Sequence, residues 1–220
     1  MTSSLSRRRL LGQALATVGG AFLMSRPVSA YAVTAGSLLP SVGQTVTVNL
    51  RGFGATLATD TLPPPHPKLD FIGAMTQKVL EGGTDFVHLQ TLDFVLRAQH
   101  PLFGAVTLRL PDTDATPLST LKADEDGLVE TWFQSFTFTA DKQGDMEGPF
   151  TYDTLEPGRW EARLSSYPPP PWSSDPDGAP TGGALFQLQA PISLGTMEPN
   201  GEKTTYGQLQ EMHINQGQAS

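Results

Sequence analysis

The chain contains no cysteine, which removes thiol nucleophiles, thiolate metal or copper centres and disulfide scaffolds at once. Only 16% of its 220 residues are charged, and the 14 basic side chains are outnumbered by 22 acidic ones. Four of the arginines fall in the first 30 residues; without them, 10 basic against 22 acidic side chains give a formal charge of −12. A surface of that sign is unsuited to nucleic acid, which is held by neutralising phosphates. It is equally unsuited to anionic lipid, so neither nucleic acid nor a stable membrane anchor is expected. No apolar run reaches the length of about 20 residues that a membrane span needs. The nucleophile elbow Gly-x-Ser-x-Gly, His-Glu-x-x-His, the phosphate-binding Gly-x-x-x-x-Gly-Lys-Ser/Thr and Gly-x-Gly-x-x-Gly are all missing. No cofactor is implied, and the balance leans away from an enzyme.

What is present begins with Ser6-Arg7-Arg8-Arg9-Leu10-Leu11, followed by a moderately apolar stretch to Met24 and a small-residue site, Val28-Ser29-Ala30. This arrangement resembles a twin-arginine export signal, with Leu10 at the usual Phe position and Gly12 at the usual Lys position. The resemblance implies the twin-arginine translocase and a signal peptidase as partners during export. Arg7 and Arg8 would be the recognised pair, Ala30 the cleavage residue and Ala32 a second possible site. The destination would be the periplasm or the exterior. A chain that crosses the membrane folded gains little from disulfides, which agrees with the zero cysteine count.

The remainder divides into a small, polar lead-in over residues 31–43 and a single domain over residues 44–217. The 22 glycines and 19 prolines exceed average usage and signal many turns and short strands. Period-two alternation runs through Thr45 to Leu50, Leu92 to Leu96, Val106 to Leu110 and Trp160 to Leu164. Further strands are expected at Val129 to Thr139, Phe150 to Leu155, Leu185 to Leu194 and Gly207 to Asn215. Along the first of these, Trp132, Phe136 and Phe138 share one face, and both faces are partly apolar. Clusters such as Asp124-Glu125-Asp126-Gly127 and Glu156-Pro157-Gly158 supply the turns. Between Lys68 and Leu80 the spacing of Leu69, Ile72, Met75, Val79 and Leu80, with Gly82-Gly83 as a stop, predicts one short helix. The fold class is therefore mainly β: an antiparallel β-sandwich or flattened barrel with one short helix.

From Phe86 to Thr120 and from Gly178 to Gly217 the order of features resembles an uncharacterised family of microbial β-rich domains. The resemblance rests on His100-Pro101-Leu102-Phe103-Gly104-Ala105-Val106-Thr107-Leu108, the Ser119-Thr120 turn, Ala190-Pro191-Ile192 and the closing strand. It implies one domain and brings no activity.

Candidate chemistry comes from four groups of residues. His88 and His213 occur in similar strand contexts and would meet if their strands paired, giving a two-His site for a carboxylate to complete. His100, before Pro101, sits at a strand corner, and His66 lies in the Pro63-Pro64-Pro65-His66-Pro67 loop. Asp124 and Asp126, and Asp175 and Asp177, offer hard oxygen ligands in tight turns, the chemistry of calcium. Solvated turns read the same way, and the full calcium-loop register is absent. Trp172, after four prolines, and Tyr167 are the candidate ligand contacts on an aromatic platform that also draws on Tyr152 and Tyr206; Trp132 and Trp160 fit core alternation. Carboxylates near strands include Glu130, Asp141, Asp153 and Glu161. Three functions stay open: a cofactor-free domain that binds a protein or carbohydrate ligand, a hydrolase or isomerase with a spatially assembled His/carboxylate site, and a structural subunit co-exported with a redox enzyme.

Overall fold

The computed structural model describes residues 38–112, 116–174, 180–198 and 200–219. The signal residues Arg7, Arg8 and Ala30 and the acidic pair Asp175 and Asp177 lie outside them. The strands, in chain order, are β1 (Thr45–Thr59), β2 (Lys68–Leu80), β3 (Phe86–His100), β4 (Gly104–Arg109) and β5 (Ser119–Asp124). They continue with β6 (Gly127–Gln134), β7 (Thr137–Gln143), β8 (Met146–Thr154), β9 (Gly158–Leu164) and β10 (Ser173–Ser174). The last are β11 (Pro180–Thr181), β12 (Ala184–Leu188), β13 (Ile192–Met197), β14 (Lys203–Gln210) and β15 (Ile214–Gln218).

Thirteen of these strands form one sheet, and each of its pairings is antiparallel. Because β1 also pairs with β14 and β3 with β5, the sheet closes on itself twice. One circuit of eight, the first ring, runs β1, β2, β3, β4, β7, β8, β13, β14. The other, the second ring, runs β1, β2, β3, β5, β6, β9, β12, β15. The three long strands β1, β2 and β3 are walls of both.

β1 and β3 divide their length between the rings, and irregularities sit where each changes neighbour. β1 pairs with β15 from Val48 to Gly52 and with β14 from Thr56 to Thr59. Its register against β2 shifts between Gly52 and Ala55. Gly54 there has φ +64°, and its N–H donates to Asp70 Oδ1 at 2.8 Å. β3 pairs with β5 as far as Leu89 and with β4 from Val95, and its register shift against β2 leaves Leu92 as the extra residue. A bulge bends a strand and increases its twist, which is what redirecting one strand into two rings requires. Gly73 on β2 lies where β3 comes closest: a β-carbon there would fall 1.9 Å from the Val95 carbonyl oxygen, so no larger residue fits.

The expected helix over Lys68 to Leu80 is instead β2, and no helix occurs among the described residues. The buried positions are Leu69, Phe71, Met75, Gln77 and Val79, a period of two, whereas Ile72 is 60% exposed. A buried glutamine and a central glycine interrupt the apolar alternation and leave a chance helical spacing. Three expected strands are each broken where the chain leaves one ring for the other. Val129 to Thr139 becomes β6 of the second ring and β7 of the first, Leu185 to Leu194 becomes β12 and β13, and Gly207 to Asn215 becomes β14 and β15.

Candidate functional site

Two interiors result, and their chemistry differs. The first ring is lined by apolar side chains, and near its mouth a slot lies among Leu57 on β1, Phe103 after β3, Phe138 on β7, Tyr152 on β8, Leu194 on β13 and Tyr206 on β14. Its space is ≈ 290 Å³ with the open mouth included, but the free interior is only ≈ 10 Å³, room for about one water. Three rings stand in file there. Phe138 stacks on Tyr152 at 6.3 Å between centroids, and Tyr152 on Tyr206 at 5.1 Å, with interplanar angles of 25° and 27°. Phe138 is buried and Tyr206 is 43% exposed, so the file leads from the core to the surface. Burial and the neighbouring Tyr206 push the Tyr152 hydroxyl above its ordinary pKa, keeping it neutral. Lys142 and Gln143 complete the lining, and Gln143 donates to Thr61 Oγ1.

The second ring buries polar groups. Glu130 on β6 is fully buried between its register partners Leu121 on β5 and Ala162 on β9. Gln77 on β2 reaches across the interior and donates from Nε2 to Glu130 Oε1 at 3.3 Å. Tyr167, from the strap that follows β9, donates its hydroxyl to Gln77 Oε1 at 3.1 Å. Desolvation pushes the Glu130 carboxyl up to about 7, against a smaller lowering by Gln77. Tyr167 is raised by burial and by the nearby Glu130. Glu130 Oε2, Trp132 Nε1, Gln134 Oε1 and Gln216 Nε2 are buried with no hydrogen-bond partner among the described residues. Behind Glu130 the core is aromatic: Trp132 stacks on Trp160 at 4.5 Å and meets Phe186 edge-on, and Trp160 Nε1 donates to the Met212 carbonyl at 2.7 Å. Both tryptophans are buried, as their alternation implies.

The sequence-derived candidates are separated. His88 lies opposite Leu80 on β2, whereas His213 lies beside Gly52 on β1, whose β2 partner is Phe71. Nine residues of strand between those levels are roughly 30 Å. His100 is at the other end of β3 from His88. Each ring has a local partner: His88 meets Phe86 edge-on, His100 Nδ1 accepts from Leu102 N at 3.2 Å, and His213 Nδ1 accepts from Leu188 N at 3.2 Å. No group of three His, Asp or Glu side chains fit to hold a metal occurs among the described residues. Asp124 is engaged by Arg163 at 2.8 Å and by the Asp126 N–H, an ordinary closure of the β5–β6 turn, and the Arg163 hydrogen bond lowers its pKa. Trp172 is half-buried, not a free platform. The Arg51 guanidinium lies 4.0 Å over its ring, and a β-carbon on Gly217 would fall 2.2 Å from the indole. Tyr167 does face an interior, that of the second ring.

The fold resembles that of DynF. The DynF structure, described as coming from the dynemicin biosynthesis pathway of Micromonospora chersina, superposes with a TM-score of 0.59 over 82% of this chain and 83% of that one. At 12% identity the likeness concerns architecture. No family model and no curated protein matches the sequence.

Sequence reasoning gives Phe103 and Phe138 no site role and names Glu130 only as one of four carboxylates near strands. Glu130 had a readable signal, since Leu128, Glu130 and Trp132 alternate on one face and the outer two are core residues.

Proposed function

We propose that this protein is an exported, cofactor-free binding domain that takes an apolar, ring-bearing ligand at the mouth of the first ring. The observation that carries this reading is the file Phe138, Tyr152, Tyr206, which ends at the surface inside an apolar slot. A flat ligand ring continues such a file by parting Tyr206 from Tyr152, gaining offset stacking and apolar burial together. Mouths of β-barrels are frequent sites for small ligands. The dispersed histidines weigh against the hydrolase or isomerase alternative.

Calorimetric titration of the mature chain with 2-naphthol tests the site. Tyr206→Ala is expected to weaken binding about tenfold, the worth of one stacked ring, and Tyr206→Phe to restore it. Equal affinities in all three proteins would sink the reading. Export is tested separately by replacing Arg7 and Arg8 with lysine. The full-length chain is then expected to accumulate in the cytoplasm, and undiminished appearance outside it would remove the twin-arginine route.

A further inference from the structure

The second ring carries a separate and unlike feature. Glu130, the one buried carboxyl group among the described residues, uses Oε1 to accept from Gln77 and leaves Oε2 without a partner. Gln216 on β15 opposes Ala184 at the start of β12, the end of the ring over which the strap after β9 passes. Its Nε2 is also buried and unpartnered. Unpaired buried polar atoms are few in native proteins, and several in one interior ask for a ligand or for ordered water.

The cover over this end is fastened by two backbone hydrogen bonds and by Trp172, which lies under Arg51 and against Gly217. Pro168 to Pro171 have no N–H to give, so the strap is held through its carbonyls: Pro170 accepts from Gly183 N at 3.1 Å and Pro169 from Gln218 N at 3.0 Å. The Tyr167 hydroxyl is its side-chain tie to the interior. The groups around Glu130 are Gln77 on β2, Tyr167 on the strap, Leu121 on β5 and Ala162 on β9. None of them is a cation, while the aromatic faces of Trp132 and Trp160 lie on the same inner surface of β6 and β9.

We infer that the second ring is a site for a small organic ammonium ion, which enters beneath the Tyr167 strap and donates to Glu130 Oε2. A lone buried carboxylate lacks a counter-charge, and an ammonium group supplies both the charge and the N–H donors. The chain's net charge of −8 favours approach of cations. Binding of the cation selects ionised Glu130, so a proton leaves the carboxyl as the amine enters.

The test is calorimetric titration of the mature chain with benzylammonium, with benzyl alcohol as the neutral counterpart. With a carboxyl near 7, its ionised fraction rises about tenfold from pH 6 to pH 8, and benzylammonium affinity is expected to rise about tenfold with it. Glu130→Gln is expected to abolish that pH dependence and weaken binding at pH 8 at least tenfold, with its circular dichroism spectrum unchanged. Tyr167→Phe, which frees the strap from Gln77, is expected to speed association while the pH dependence remains. Benzyl alcohol binding as tightly as benzylammonium would overturn the proposal. So would binding indifferent to pH and to Glu130→Gln, the signature of the first ring's slot, or a crystal structure of the amine-soaked protein with water alone on Glu130 Oε2.

Discussion

Glu130→Gln is expected to unfold at a higher temperature than the wild-type chain at pH 8, and at nearly the same temperature at pH 4. The carboxyl is fully buried and its pKa is raised by desolvation from 4.5 to about 7. Below pH 4.5 both the folded and the unfolded chain hold the proton, and Glu130 contributes no pH dependence. Between 4.5 and 7 the unfolded chain releases it while the folded chain keeps it, so stability falls as pH rises. Above 7 the deficit is complete and amounts to about 3 kcal/mol. Glutamine keeps the carbonyl that accepts from Gln77 and cannot ionise, so the variant escapes the deficit. For a domain of this size about 3 kcal/mol corresponds to roughly 6–12 °C in Tm. Thermal melts of both proteins at pH 4, 6 and 8 decide it. Curves that stay parallel across the range would mean that the folded chain does not hold Glu130 protonated.

Trp160→Ala is expected to destabilise the chain at every pH, by at least as much as ionised Glu130 does at pH 8. The side chain is wholly buried, stacked on Trp132, and its N–H satisfies the Met212 carbonyl just before β15. Truncation of a buried tryptophan removes about 3–5 kcal/mol through lost transfer and the cavity left behind. That is about a fifth or more of the 5–15 kcal/mol typical of a domain. Trp160→Phe narrows the difference, since it retains one six-membered ring while removing the donor and the rest of the indole; it is expected to lose about 1–3 kcal/mol. Urea unfolding with an unchanged m-value is the measurement. A loss below about 1 kcal/mol for Trp160→Ala would show that the stacked pair is not part of the cooperative core.

Strands are legible where one face is buried and apolar side chains mark it, as in β6 and β9. At Lys68 to Leu80 the mark fails: Gly73 is dictated by the approach of β3 and Gln77 by a partner on β6, both long-range facts. The breaks between rings were illegible for a different reason. In β6 and β7 the even-numbered residues Trp132, Phe136 and Phe138 stay inward on both sides of the corner, so the period passes through it without a fault. The histidines looked convergent because similar local sequences do not report register. For Tyr167, aromatic character next to prolines points to a ligand contact on an aromatic platform, and does not report that its hydroxyl turns inward to Gln77.

The order in which the chain visits the two rings bears on how it reaches its native state. After the three shared strands it goes to the first ring with β4, the second with β5 and β6, the first with β7 and β8, and the second with β9 and β12. It then returns to the first with β13 and β14 and ends in the second with β15. During synthesis neither circuit can close until its last strand has emerged, at Lys203 to Gln210 for one and Ile214 to Gln218 for the other. An unclosed, edge-exposed sheet is thus the most that can form for almost the whole of translation. The final steps depend on contacts of high sequence separation, which are slow to form and vulnerable to aggregation.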